Sequence, residues 1–218
     1  MVRRRDTSDV LHVEKCPMTS RRPPRVLLSA ACAAALVLFL GCETVSLAPA
    51  DPPVLEDLGP TMVRAGNSEI WAVLDFRFAA GNIGNDWLIV DLAVTAADRR
   101  SARVNRDGVF IRTPNGTRIP LPSQEEYLSV HGQLQSALRR ADVASSPMWA
   151  YFPTSRRQCD FQFFAGPGGR TYNHVEVNDR RACGERLVFR IPGGVQPGRW
   201  VVGIDLEESE LRIPFDLT

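Results

Sequence analysis

Ser68–Phe78, SEIWAVLDFRF, decides the fold. Ile70, Ala72, Leu74, Phe76 and Phe78 fall on one side of an alternating run. Trp71, Val73, Asp75 and Arg77 fall on the other, which is the period of two of a half-buried strand. The turn AAGNIGN follows, and Asp86–Thr95 then resumes the alternation with Leu88, Val90, Leu92 and Val94 facing inward. Together the two runs predict a β-hairpin with one apolar face turned to a core.

Further along, a polar excursion through Asp98, Arg99, Arg100, Arg103, Arg106 and Asp107 leads to Gly108 and a short strand at Val109–Arg112. Pro114-Asn115-Gly116 predicts a tight turn back to Arg118-Ile119. One helix interrupts the β pattern. Ser123-Gln124-Glu125-Glu126 is a capping box, the Ser123 oxygen being available to the Glu126 amide and the Glu126 carboxylate reaching back. Tyr127, Val130, Leu134, Ala137, Leu138 and Ala141 then recur at helical spacing, giving a stripe expected to pack over a face or open end of the sheets. Gly132 and the lack of a basic flank beyond Arg139 and Arg140 argue against a membrane-surface helix.

The segment MWAYFPTSRRQCDFQFF supplies Trp149, Tyr151, Phe152, Phe161, Phe163 and Phe164, a set expected mainly in the core. AGPGGR after it lacks the GK[ST] ending of a phosphate loop and reads as an ordinary loop. Glu185–Ile191, Gly198–Leu206 and Glu210–Phe215 read as three closing strands. Pro214 cannot donate to a ladder and makes the last of them an edge. The expectation is a mainly β body at residues 63–218, an antiparallel β-sandwich with one inserted amphipathic helix. Its closing run, Phe189-Arg190-Ile191-Pro192, Pro197-Gly198-Arg199-Trp200 and Ile213-Pro214-Phe215, is similar to the last strands of immunoglobulin-like domains in bacterial envelope lipoproteins. That resemblance implies an immunoglobulin-like sandwich and carries no site.

Upstream of the body, Glu43 to about Thr61 is rich in proline and acidic residues without a period, and residues 42–62 read as a semi-extended tether. Before it, RRPPRVLLSAACAAALVLFLGC at residues 21–42 joins a positive front end to an apolar run ending at Cys42. At about 20 apolar residues per bilayer span, the run is short for a permanent anchor. Phe39-Leu40-Gly41-Cys42 resembles the lipobox of bacterial lipoproteins, with Phe39 in place of the usual leucine and a bulky Leu40. The resemblance implies a signal peptide at residues 18–41, palmitate-type acylation and membrane anchoring at Cys42, and, from Glu43, the outer membrane facing the periplasm. Cleavage after Ala48-Pro49-Ala50, an uncleaved anchor and a buried core helix are the rival readings. Residues 1–17 precede a better start at Met18 and read as a misassigned start or a disordered leader. Ser20-Arg21-Arg22 resembles a twin-arginine signal, although Pro23 and Pro24 stand where that motif wants apolar residues.

From Cys42 onward there are 19 arginines against 22 aspartates and glutamates, a net charge of −3 with both signs interspersed. This distribution lacks the basic stripe that phosphate backbones require, so no nucleic-acid partner is expected. Two cysteines remain beyond Cys42. Cys159 and Cys183 form an even pair, which in an oxidising compartment predicts a disulfide. A Cys159, His174, Cys183 metal site, whose spacing lacks a CxxC knuckle, and two free buried thiols are the alternatives.

No GxSxG, HExxH, SxxK or Walker pattern is present, and no cofactor motif is found. His131 lies beside the helical stripe, where a packed or surface role is expected. His174, in TYNHVEVND near Asp160, Glu176 and Asp179, is the place to look for a catalytic or metal constellation. The sequence is therefore read as a lipid-anchored, non-enzymatic interaction or structural module with an envelope protein or polymer as its partner. A ligand or envelope-polymer binder using exposed rings among Trp71, Trp87, Trp149 and Trp200 is the second reading, and an envelope hydrolase the third.

Overall fold

The computed structural model describes residues 54–98, 101–143 and 146–218. The expected leader, signal peptide, lipidation residue Cys42 and first part of the tether lie outside the described residues. In chain order the strands are β1 (Val54–Gly59), β2 (Met62–Gly66), β3 (Ile70–Asp75), β4 (Trp87–Ala96), β5 (Ser101–Asn105) and β6 (Val109–Arg112). They continue as β7 (Arg118–Pro120), β8 (Arg157–Asp160), β9 (His174–Asn178), β10 (Arg181–Arg190), β11 (Gly198–Asp205) and β12 (Glu210–Leu217). A short helix, α1 (Arg77–Ala80), follows β3, and a long one, α2 (Gln124–Val143), follows β7.

These strands make two sheets. The larger runs β1-β2-β3-β4-β10-β9-β5 with β8 beside β10, and the smaller runs β12-β11-β6-β7. All pairings are antiparallel except that of β8 with β10. The result is a mainly β, sandwich-like fold with few helices.

The β3–β4 hairpin behaves as its alternation requires. Ala72 pairs with Val94 and Leu74 with Leu92, and Ile70, Ala72, Leu74, Leu88, Val90, Leu92 and Val94 all enter the main core. The strand stops at Asp75, short of the expected Phe78. The Asp75 carboxylate accepts from the Arg77 amide at 2.9 Å, a local turn that diverts the backbone into α1. Phe76 still packs into the core, while Phe78 goes to the opposite side of the sheet, beside α2.

The other face of β4 is buried as well. Ile89 lies under α2, and Ala93 lies under the 3-10 turn Pro147–Tyr151 with Met148 and Phe152. The helix covers one half of that face and the 3-10 turn the other, so the hairpin is the middle layer of three.

Helix α2 begins with the expected capping box. Ser123 Oγ accepts from the Glu126 amide at 3.1 Å, and the Glu126 carboxylate accepts from the Ser123 amide at 2.6 Å. Tyr127, Leu134 and Ala141 pack on Ile89 of β4 and Val188 of β10. At the other end Arg186 of β10 pairs with both Asp91 oxygens at 2.9 and 3.2 Å, and also pairs with Asp142. It donates to the carbonyls of Leu138 and Ala141 too, the second of which lies in the last turn, where a helix leaves carbonyls without an internal partner.

Several expectations need correction. Val54–Gly59, read as part of the 42–62 tether, forms an edge strand on β2, so the folded body begins ahead of residue 63. Its side chains are mostly exposed, which is why no apolar period marks it. The polar excursion contains β5, which pairs with β9 through its backbone while burying only Ala102 and Val104. β10 starts at Arg181, ahead of the expected Glu185, because the Arg181–Gly184 stretch is held by β8 and β4 together. Cys159 and Cys183 sit in register on β8 and β10 and are disulfide-bonded, with Cα atoms 4.3 Å apart. β12 lies at the edge of its sheet, as Pro214 requires.

Candidate functional site

Leu121-Pro122-Ser123 carries the chain from β7 into α2. Opposite it, Arg106 and Asp107 form the β5–β6 turn, which Gly108 allows to close. A Cβ on that glycine would come within 2.9 Å of the Asp205 carbonyl oxygen. The Arg106 amide donates to the Asn173 carbonyl at 2.8 Å, and Asn105 stands in register with His174 at the start of β9. A polar cleft of about 720 Å³ opens between these segments, lined by Asn105, Arg106, Ser123, Glu126, Asn173 and His174 among others.

Arg106 is the side chain around which this cleft is built. Its guanidinium lies 5.0 Å above the Phe164 ring and donates to the Pro122 carbonyl. Its Nε is the one buried side-chain polar atom without a hydrogen-bond partner among the described residues. Burial lowers its pKa from the ordinary value, opposed by the charges of Glu185 and Glu126. The Glu126 carboxyl is held below its ordinary range by the Ser123 backbone amide and then by the Ser123 side chain.

Behind Arg106, Glu185 of β10 accepts from two consecutive amides, Phe163 at 2.8 Å and Phe164 at 3.1 Å. Burial nevertheless outweighs these bonds and pushes its pKa up to about 7. Gln124, at the start of α2, holds the next residue on both sides, donating to the Ala165 carbonyl at 2.7 Å and accepting from its amide at 3.2 Å. The segment that leads back into the cleft through Asn173 and His174 is thus pinned by one carboxylate and one amide.

Two smaller hollows continue from the cleft along α2. One of about 250 Å³ shares Leu121, Pro122 and Glu126 with it and extends to Trp87, Val130 and Arg190. The next, of about 160 Å³, shares Trp87 and runs past Gln133, Ser136 and Arg140.

The four tryptophans do not form a common platform. Trp200 is 1% exposed, sits in the main core and donates its indole N–H to the Gln196 carbonyl at 2.9 Å. Trp71 covers Gly66, with Arg64 4.8 Å above its ring. Trp149 lies within the 3-10 turn, partly buried and near Phe152. Trp87 alone borders the hollows, half-buried between β4 and α2. His174 is exposed and lines the main cleft. The sulfurs of Cys159 and Cys183 are bonded to each other, so neither is left as a ligand beside it.

Sequence reading missed Asn105, Arg106 and Asn173, because the cleft is assembled by the pairing of β5 with β9, strands with little apolar pattern. Ser123 and Glu126 were legible, though only as a helix cap. No protein-family model, curated protein or solved structure matches this chain.

Proposed function

We propose that this is an exported lipoprotein of the bacterial cell envelope, anchored through Cys42 to the outer membrane and facing the periplasm. In this reading its body is an immunoglobulin-like sandwich that works as a non-enzymatic interaction module. The observation that carries the export reading is the Cys159–Cys183 disulfide, a bond that persists in oxidising compartments. It stands beside the apolar run and Phe39-Leu40-Gly41-Cys42, in which Gly41 and Cys42 match a lipidation signal while Phe39 and Leu40 depart from it. Two sheets, antiparallel but for the β8–β10 pair, closing on one core with the last hairpin β11–β12 at an edge, support the sandwich reading.

A surface role, in preference to catalysis, draws support from how the polar groups are used. Arg106 and Glu126 each hold a backbone group of the β7–α2 junction, and Glu185 holds two amides of the segment beyond β8. The experiment is Cys42→Ser in the native host. An acylated anchor predicts that the wild type fractionates with membranes and incorporates labelled fatty acid, while the variant incorporates none. Equal labelling of the two proteins would overturn lipidation at this residue.

A further inference from the structure

The three hollows lie in a row along one flank of α2, each sharing lining residues with the next, and together they outline a groove. The first two meet at Leu121, Pro122 and Glu126, and the second and third meet at Trp87. From Ser123 to Arg140 the helix rises about 26 Å at 1.5 Å per residue. A groove of that length suits a chain and is long for a single small molecule.

Its chemistry narrows the occupant. Most of its polar wall is neutral. Asn105 and Asn173 stand exposed at the wide end, and Ser129, Gln133 and Ser136 stand exposed along the helix. Amides and hydroxyls of this kind both donate and accept, which matches neighbouring hydroxyls on a ligand, although Ser129 already donates to the Glu126 carbonyl at 2.7 Å and is left to accept. Pro122, Leu121 and the half-buried Trp87 ring add apolar surface midway, fit for the C–H faces of a ring. Charges of both signs, Arg106, Arg190 and Arg140 against Asp107 and Glu126, are spread along the groove with no run of one sign, a poor match for a polyanion. A peptide is the poorer fit. The adjacent sheet edge, β7, has only three residues, and one of them is Pro120, which has no N–H to offer a pairing strand.

We propose that this groove binds a linear saccharide chain, with Asn105 and Asn173 at its wide end and Trp87 stacking a sugar ring midway. The proposal rests on the reading of the protein as a non-enzymatic module and names the class of partner.

The test uses the full chain with three probes: linear β-1,4-linked N-acetylglucosamine oligomers of increasing length, a glycan strand released from peptidoglycan, and a glycine-serine peptide of similar length. Tryptophan fluorescence and amide chemical shifts report binding. Affinity should rise with oligomer length, and shifts should follow the flank of α2. Asn105→Ala and Asn173→Ala, both at exposed positions where folding is not at stake, should each weaken binding roughly five- to tenfold, as the loss of one good hydrogen bond implies. Trp87→Phe keeps the packing against Ile89 and should remove the fluorescence response while weakening binding. Failure of both glycans to bind, preference for the peptide, or glycan binding unaffected by the two asparagine variants would overturn the groove assignment and leave the module reading standing. Shortened oligomers after incubation would do the reverse, overturning the non-enzymatic reading while the groove remains.

Discussion

At the scale of single residues, Glu185 and Arg186 are neighbours on β10 with opposite roles. Glu185 is a carboxylate withdrawn from water whose two amide bonds do not fully offset the loss of hydration, so its pKa rises from 4.5 to about 7. Its folded form therefore binds a proton that the unfolded chain releases earlier. The stabilising contribution is complete below about pH 4.5 and is lost as pH rises through about 7, an effect of at most about 3 kcal/mol. Urea midpoints measured across that window should fall with pH in the wild type and change less in Glu185→Gln. Equal slopes for the two proteins would contradict the assignment. The charge of Asp160 adds to this rise and that of Arg106 opposes it. Arg186 instead neutralises Asp91, whose pKa is raised by burial and held down in part by that guanidinium. Arg186→Met leaves Asp91 recessed and unpaired, and should cost about 3 kcal/mol in chemical unfolding. A change within error would mean that water replaces the arginine.

At the scale of elements, α2 is fastened at both ends by different chemistry. The capping box holds its first turn and Arg186 its last. Ser123→Ala should destabilise the protein by about 1 kcal/mol, with amide exchange accelerating first in the N-terminal turn. Arg186→Met should accelerate exchange first near Leu138–Val143, and reversed locations would contradict this division. The capping box was legible in the sequence because its signal is local. So was the β3–β4 hairpin, since its alternation survives burial of both faces as an almost unbroken apolar run. β5 and β9 were not legible, because they hold each other by backbone pairing and bury only Ala102, Val104, Val175 and Val177 between them. β1 was hidden for the same reason: edge pairing on β2 leaves Val54, Leu55, Glu56 and Asp57 exposed. The cleft inherits this blindness, for Asn105, Arg106, Asn173 and His174 meet only once β5 and β9 pair. The disulfide was legible by counting cysteines, and its register across parallel strands was not.

At the scale of the whole molecule, the two sheets close on one core while the larger sheet is covered again by α2 and the 3-10 turn. The disulfide ties β8, a short strand with mostly exposed side chains, to the central strand β10. It closes a loop of 24 residues, and its reduction should lower stability by about 3 kcal/mol in the chain-entropy picture. Unfolding midpoints with and without reductant check this, and an unchanged midpoint would mean that β8 is held by packing alone. In the proposed reading the protein is an envelope lipoprotein anchored through Cys42, with a β body that holds a groove for a partner. The Cys42 anchor is tested most directly by the intact mass of the protein isolated from its native host, with fractionation. Acylation at Cys42 predicts a chain beginning at that residue, heavier by a triacyl modification and recovered from membranes. An unmodified chain beginning after Ala50 and recovered from the soluble fraction would contradict it.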